Sequence, residues 1–160
     1  MKIIEAGDRD MRRVHLLFRE YQQWLGIDLC FQGFEEELAS LPGAYAPPAG
    51  AVFLASEKSE LIGCAAIRPR TGNEAELKRL YVRPEYQGRG TGKTLFHTAM
   101  SKAKTIGYET IVLDTLPAMK TAKSLYLAYG FEEIPAYYNN PEDGVEYYRY
   151  VFRKSRQNKP

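Results

Sequence analysis

Three glycines within five residues, Gly88, Gly90 and Gly92, stand between two segments of different period. Glu74 to Val82 alternates charged and apolar residues, which predicts a strand with two unlike faces, and Leu95, Phe96, Ala99, Met100, Ala103 and Ile106 mark the stripe of a helix. The turn therefore joins a strand to a helix start. Glycines at such a junction let backbone N–H groups converge at the positive end of a helix dipole, which makes an anion site suited to phosphate. The alternative is a tight turn without a ligand, but three alternating glycines lose more conformational entropy than one turn requires.

Two familiar phosphate loops are excluded by spacing. Gly92-Lys93-Thr94 followed by a helix has the look of a nucleotide P-loop, and Ile111 to Asp114 imitates the apolar strand ending in a magnesium-binding aspartate. That loop needs glycine five positions before Gly92, where this chain has Gln87. The strand before the turn carries Glu76, Lys78 and Arg79, unlike the wholly apolar strand of a parallel nucleotide-binding sheet. A dinucleotide fingerprint starting at Gly88 and Gly90 needs its third glycine at the position of Lys93.

The rest of the chain sets the frame for this turn. Lys2 to Glu5 reads as a strand, and Asp8 as the N-cap of a helix carrying Met11, Val14, Phe18, Tyr21 and Leu25 until Gly26. A second short helix follows Gly33, with Phe34, Leu38 and Leu41 before Pro42. Ala51 to Ser56 and Leu61 to Arg68 form a predicted hairpin. After the glycine turn and its helix come a buried strand, Thr110 to Leu113, a helix from Thr121 to Tyr129, and a tyrosine-rich strand from Val145 to Phe152. The predicted order is β-α-α-β-β-β-α-β-α-β, a mixed α/β chain whose sheet has helices on its faces. With 160 residues this is one domain over 1–153, with a basic, solvated tail at 154–160.

Gln87 to Gly92 reads Gln-x-x-Gly-x-Gly, and Leu125 to Phe131 reads Leu-Tyr-x-x-x-Gly-Phe. On these two motifs the chain resembles the GCN5-related N-acetyltransferases over roughly residues 3 to 152. The resemblance implies a central, mostly antiparallel twisted sheet with helices on both faces. It implies acetyl-CoA as cosubstrate, with Gln87, Gly88, Arg89, Gly90, Thr91, Gly92 and Lys93 around the pyrophosphate. Leu80, Tyr81 and Val82 match a bulged strand whose exposed backbone pairs with pantetheine. The family often has an asparagine that bonds the CoA arm, where this chain has Met119.

Acetyl transfer to an amine needs a polarised thioester carbonyl, a proton for the departing thiolate and an unprotonated amine. The Val82 N–H is the candidate for polarisation. Tyr126 is the candidate acid, since a phenol of reference pKa about 10 suits a thiolate leaving group. The other reading of Tyr126 is a core aromatic on an amphipathic helix. Glu76 matches the glutamate that some members use as a base; alternation puts it on one face with Lys78, Leu80 and Val82, and burial would have to raise its pKa. The plainer reading pairs Glu76 with Lys78 or Arg79.

The remaining features bound the function. Glu35, Glu36 and Glu37 are expected on a solvated helix face, His97 at the surface, and the loop from Tyr137 to Asn140 over the acceptor pocket. Cys30 and Cys64 lack paired spacing and His15 and His97 lie far apart, so no metal site is predicted. A net charge of +2 gives no reason to expect nucleic acid as a partner, and no apolar run approaches the roughly 18 residues of a membrane span. The expected partner is a small-molecule or protein amine, the expected assembly a monomer or homodimer, and the expected location cytoplasmic. Two alternatives to an enzyme are a CoA-binding regulatory module without turnover and a nucleotide-phosphate-binding protein.

Overall fold

The structure, a computed structural model, describes residues 1–30 and 33–152. The expected tail at 154–160 lies outside the described residues. Among the described residues seven strands form one sheet: β1 (Lys2–Glu5), β2 (Ala51–Glu57), β3 (Glu60–Pro69), β4 (Glu74–Val82), β5 (Thr110–Thr115), β6 (Glu132–Ile134) and β7 (Glu146–Val151). Their spatial order is β1-β2-β3-β4-β5-β7-β6, antiparallel throughout except for β4 beside β5. The helices are α1 (Met11–Leu25), α2 (Phe34–Ala39), α3 (Thr91–Ile106) and α4 (Lys120–Tyr129). Because β4 and β5 run parallel, their connection needs a crossover, and α3 provides it.

Each face of the sheet has its own core. Val14, Leu17 and Phe18 of α1 and Phe34 and Leu38 of α2 bury against Val52, Leu54, Cys64, Ala66 and Tyr81. On the other face Leu95, Phe96, Ala99 and Met100 of α3 and Tyr126 of α4 bury against Phe53, Ala65, Leu77 and Ile111. Gly26, at φ 69°, closes α1 by donating to the carbonyls of Gln22 and Gln23. The β2–β3 hairpin turns at Lys58 and Ser59, both at positive φ, the backbone that a two-residue hairpin loop needs to match strand twist.

Three local expectations are corrected. Asp8 does not cap α1: residues 8–10 form a single 3₁₀ turn, α1 starts at Met11, and the Asp10 carboxylate accepts the Gly7 N–H at 2.9 Å. The second helix ends at Ala39 rather than running on to Leu41. A further strand, β6, follows α4 and pairs with Tyr147 to Arg149 of β7, so the order gains one element. Three residues reading Glu-Glu-Ile carry no periodicity, and the pairing with β7 is what makes them a strand.

Candidate active site

The site begins where two parallel strands part. β4 and β5 are in register only from Glu74, opposite Thr110, to Glu76, opposite Val112. Beyond that point β4 continues to Val82 on β3, and β5 continues to Thr115 on β7. The edge of residues 77–82 that faces β5 therefore lacks a paired strand among the described residues.

A bulge in β4 decides which side chains face which wall. Ala66 pairs with Lys78 and Cys64 with Tyr81, so Arg79 and Leu80 together stand opposite Ala65. Arg79 sits at φ 59° and its carbonyl accepts the Cys64 thiol at 3.2 Å. Simple alternation is thereby broken. Glu76, Lys78, Arg79 and Tyr81 face the α1–α2 side, while Leu80 and Val82 pack on the α3 side, so the expected shared face of Glu76, Lys78, Leu80 and Val82 is corrected.

At the end of β4 the chain enters the glycine turn. Gln87 donates its side-chain amide to the Val82 carbonyl at 2.9 Å, which pins the turn to the strand end. Gly88 and Gly90 sit at φ 79° and 83°, and a Cβ on either would meet nothing within 4 Å, so the space beside this backbone is open. Gly90 precedes α3, whose first-turn N–H groups have no acceptor within the helix. Thr91 is buried, Lys93 is exposed, and Arg89 lies over the Tyr86 ring at 5.2 Å, 3.5 Å from Glu57. A Cβ on Gly92 would stand 3.5 Å from Val82, so α3 packs closely on the strand end. Open space, the unbonded first-turn amides of α3 and the nearby cations Arg89 and Lys93 fit an anionic ligand.

Tyr126 of α4 is buried in the core on the α3 side of the sheet, its ring 5.5 Å from Phe96 and 5.8 Å from Phe131. Burial pushes its hydroxyl pKa up, with Tyr21 and Asp114 adding to the effect, so it stays protonated at neutral pH.

The α1–α2 side of the cleft is dense with charge. Glu76, 4% exposed, accepts Arg68 Nε at 3.0 Å and the Tyr137 hydroxyl at 2.6 Å, with Lys78 Nζ 4.0 Å away. Burial alone would raise its pKa, but Lys78, Arg68 and Tyr137 together hold it below the ordinary carboxylate range. This is the reverse of what the expected base requires. Arg79 does not pair with Glu76; its Nε and Nη2 reach Glu37 at 3.0 and 3.1 Å. Glu37 also accepts the Tyr45 hydroxyl at 2.9 Å, so this one of the three glutamates leaves the expected solvated face, whereas Glu35 and Glu36 are exposed.

The loop after β6 closes over this side. Tyr137 reaches Glu76 as above, the Tyr138 hydroxyl donates to Asp114, and Asn140 donates to the Tyr138 oxygen at 3.0 Å. Asp114 and Thr115, at the end of β5, and Lys78 are site residues that the motifs did not indicate. The available signal was charge inside otherwise apolar strands. His97 is exposed, edge-on to Tyr129. Among the described residues no helix is long and apolar enough to cross a membrane.

Residues 13–131 match the profile of the Acetyltransferase (GNAT) family. The chain belongs to that family. It is 38% identical to an uncharacterized N-acetyltransferase of Schizosaccharomyces pombe, over 91% of each chain. Among solved structures, an acetyltransferase of the GNAT family from Staphylococcus aureus superposes with a TM-score of 0.76 at 21% identity, over 95% of this chain and 99% of the other. The PaiA N-acetyltransferase of Thermoplasma acidophilum, solved in complex with coenzyme A, has a TM-score of 0.71 at 22% identity, over 94% and 98%. These two likenesses establish the GNAT fold. Membership of the family and the CoA complex of that neighbour support CoA binding in general.

Proposed function

We propose that this GNAT protein transfers the acetyl group of acetyl-CoA to a primary amine of a small molecule or protein. The observation that carries the reading is the parting of β4 from β5 beyond Glu76 and Val112, with the glycine turn and the start of α3 at the end of β4. Acetyl-CoA supplies an activated acyl thioester. Gly88 to Lys93 hold its pyrophosphate through backbone amides and cations, and Gln87 positions that turn by its bond to Val82. The unpaired edge of Leu80, Tyr81 and Val82 takes the pantetheine as a strand would be taken, and the Val82 N–H polarises the thioester carbonyl.

Tyr126 is the proton donor to the leaving thiolate, kept protonated by its burial. Glu76 acts as a positioning residue. Both its oxygens are engaged, and it orders Arg68, Lys78 and Tyr137 beside the acceptor. The amine proton then leaves to water.

Thermal unfolding with and without acetyl-CoA, followed by thiol release with a panel of amines, tests the proposal. At about 100 times its Kd, acetyl-CoA stabilises by about 2.7 kcal/mol, a rise of roughly 5–10 °C for a domain of this size. Stabilisation by ATP of equal size, with no thiol release from acetyl-CoA, would sink the reading in favour of a nucleotide site.

A further inference from the structure

Within β4, Arg79 stands at φ 59°, in the left-handed region that a residue with a Cβ enters at a cost. Such a conformation persists only where the surroundings over-determine it. The Arg79 side chain is 2% exposed, and its Nε and Nη2 reach the two carboxylate oxygens of Glu37 on α2 at 3.0 and 3.1 Å. Phe34, one turn earlier on α2, has its ring centre 5.0 Å from the same cation. From β3 the Cys64 thiol donates to the Arg79 carbonyl at 3.2 Å. A glycine would make this bulge without strain, and a buried ion pair is a weak source of stability because its charges must be desolvated. What the arginine adds is a planar fork held in one direction by a helix.

The bulge decides which backbone groups face the open edge of β4. Arg83 donates its N–H to the Ile62 carbonyl of β3 at 2.8 Å, so by alternation the Val82 N–H points the other way, toward the edge that β5 leaves. One residue more or fewer in a strand of period two exchanges these directions. Arg79 and Leu80, together opposite Ala65, supply that extra residue.

We infer that Glu37 and Arg79 are positioning residues for acyl transfer: α2 clamps Arg79 in its left-handed conformation, and the bulge so held presents the Val82 N–H to the thioester. The inference rests on the place proposed above for the pantetheine and the thioester carbonyl. Both side chains act through the backbone of β4, from the α1–α2 side of the sheet.

The test titrates the protein calorimetrically with CoA and, separately, with the phosphoadenosine diphosphate half of CoA, which lacks the pantetheine. Turnover with the best amine is measured beside it. Arg79→Gly takes the positive φ without strain and leaves Glu37 bonded to Tyr45 and Arg68, so it should fold. It should bind CoA about tenfold more weakly, through loss of the ordered strand edge, and bind the half molecule as the parent does. Its kcat should fall about 10²-fold, since the N–H is no longer held toward the developing charge. Glu37→Gln keeps the shape and one acceptor oxygen, and Arg79→Lys keeps the charge without the fork. Each should show the same pattern in reduced size, so the outcome does not hang on one variant. Parent-like CoA affinity and kcat in these variants, or equal weakening of CoA and the half molecule, would leave the pair a purely structural role and overturn the inference alone. Failure of the parent to bind CoA overturns the proposed function with it.

Discussion

Two nitrogens of Arg68 converge on one oxygen of Glu76, Nε at 3.0 Å and Nη2 at 2.9 Å from Oε1, while the Tyr137 hydroxyl takes Oε2 at 2.6 Å. Two strands and a loop are thereby tied through a single buried carboxylate. Glu76→Gln should leave the shape of the kcat/KM pH profile as in the parent if, as proposed, the amine proton leaves to water. It should destabilise the fold by about 2–3 kcal/mol, since the charges of Arg68 and Lys78 lose their counter-ion. Urea midpoints measure the second effect and pH–rate profiles the first; a selective loss of rate near neutral pH would restore Glu76 as the base.

The same carboxylate makes an acid-stability prediction. Its folded pKa is held below the unfolded value of about 4.3, so the folded chain releases its proton more readily. The stability it contributes is present above that value and is lost as pH falls through the lower folded pKa. The gap in stability between the parent and Glu76→Gln should therefore be full at pH 7 and shrink below about pH 4. A gap independent of pH would show that the carboxylate's charge does not stabilise the fold.

Lys78 behaves in the opposite sense. Burial, reinforced by Arg79, lowers its pKa to about 8, while Asp114 and Glu76 oppose the shift and Arg68 adds to it. Between about 8 and the unfolded value near 10.4 the unfolded chain binds more protons, so stability contributed at this site rises with pH across that window. Lys78→Met should abolish that rise in denaturation curves recorded between those limits. If the slope is the same in both proteins, the ammonium is not desolvated as the structure describes.

Tyr126→Phe removes one oxygen whose hydroxyl has no hydrogen-bond partner among the described residues, and it keeps the ring between Phe96 and Phe131. Turnover should fall about 10²-fold or more, with the acetyl-CoA-induced rise in Tm preserved. Parent-like turnover with chemistry rate-limiting would return Tyr126 to a packing role.

Gly90→Val tests the turn. At φ 83° a β-branched residue costs about 1–2 kcal/mol in backbone strain, and its side chain fills the open space beside the amides. The variant should fold with a lower Tm and lose most of the stabilisation by acetyl-CoA. Unchanged affinity, measured calorimetrically, would move the pyrophosphate elsewhere.

What could be read along the chain was local. The strand–turn–helix from Glu74 to Ile106 follows from alternation, three glycines and a 3/4 stripe, all of which act within a few residues. Positive φ at Gly88 and Gly90 is a property that those residues alone carry cheaply. The motifs that single out Gln87 and Tyr126 were legible for the same reason, since each spans only six or seven consecutive residues. Arg79 was not. Its bulge depends on the register with β3, and one extra residue in a period-two strand sends every later side chain to the opposite face. Nor did Glu37 announce itself, because Arg79, the partner that draws it inward, is 42 residues away. The sequence by itself determined that a glycine turn opens a helix after a strand. Tertiary structure alone decided that β4 and β5 part beyond Glu76, and that Lys78, Asp114 and Thr115 line one cavity, because charge and hydrogen-bond partnerships across strands are set by three-dimensional proximity, which no local pattern encodes.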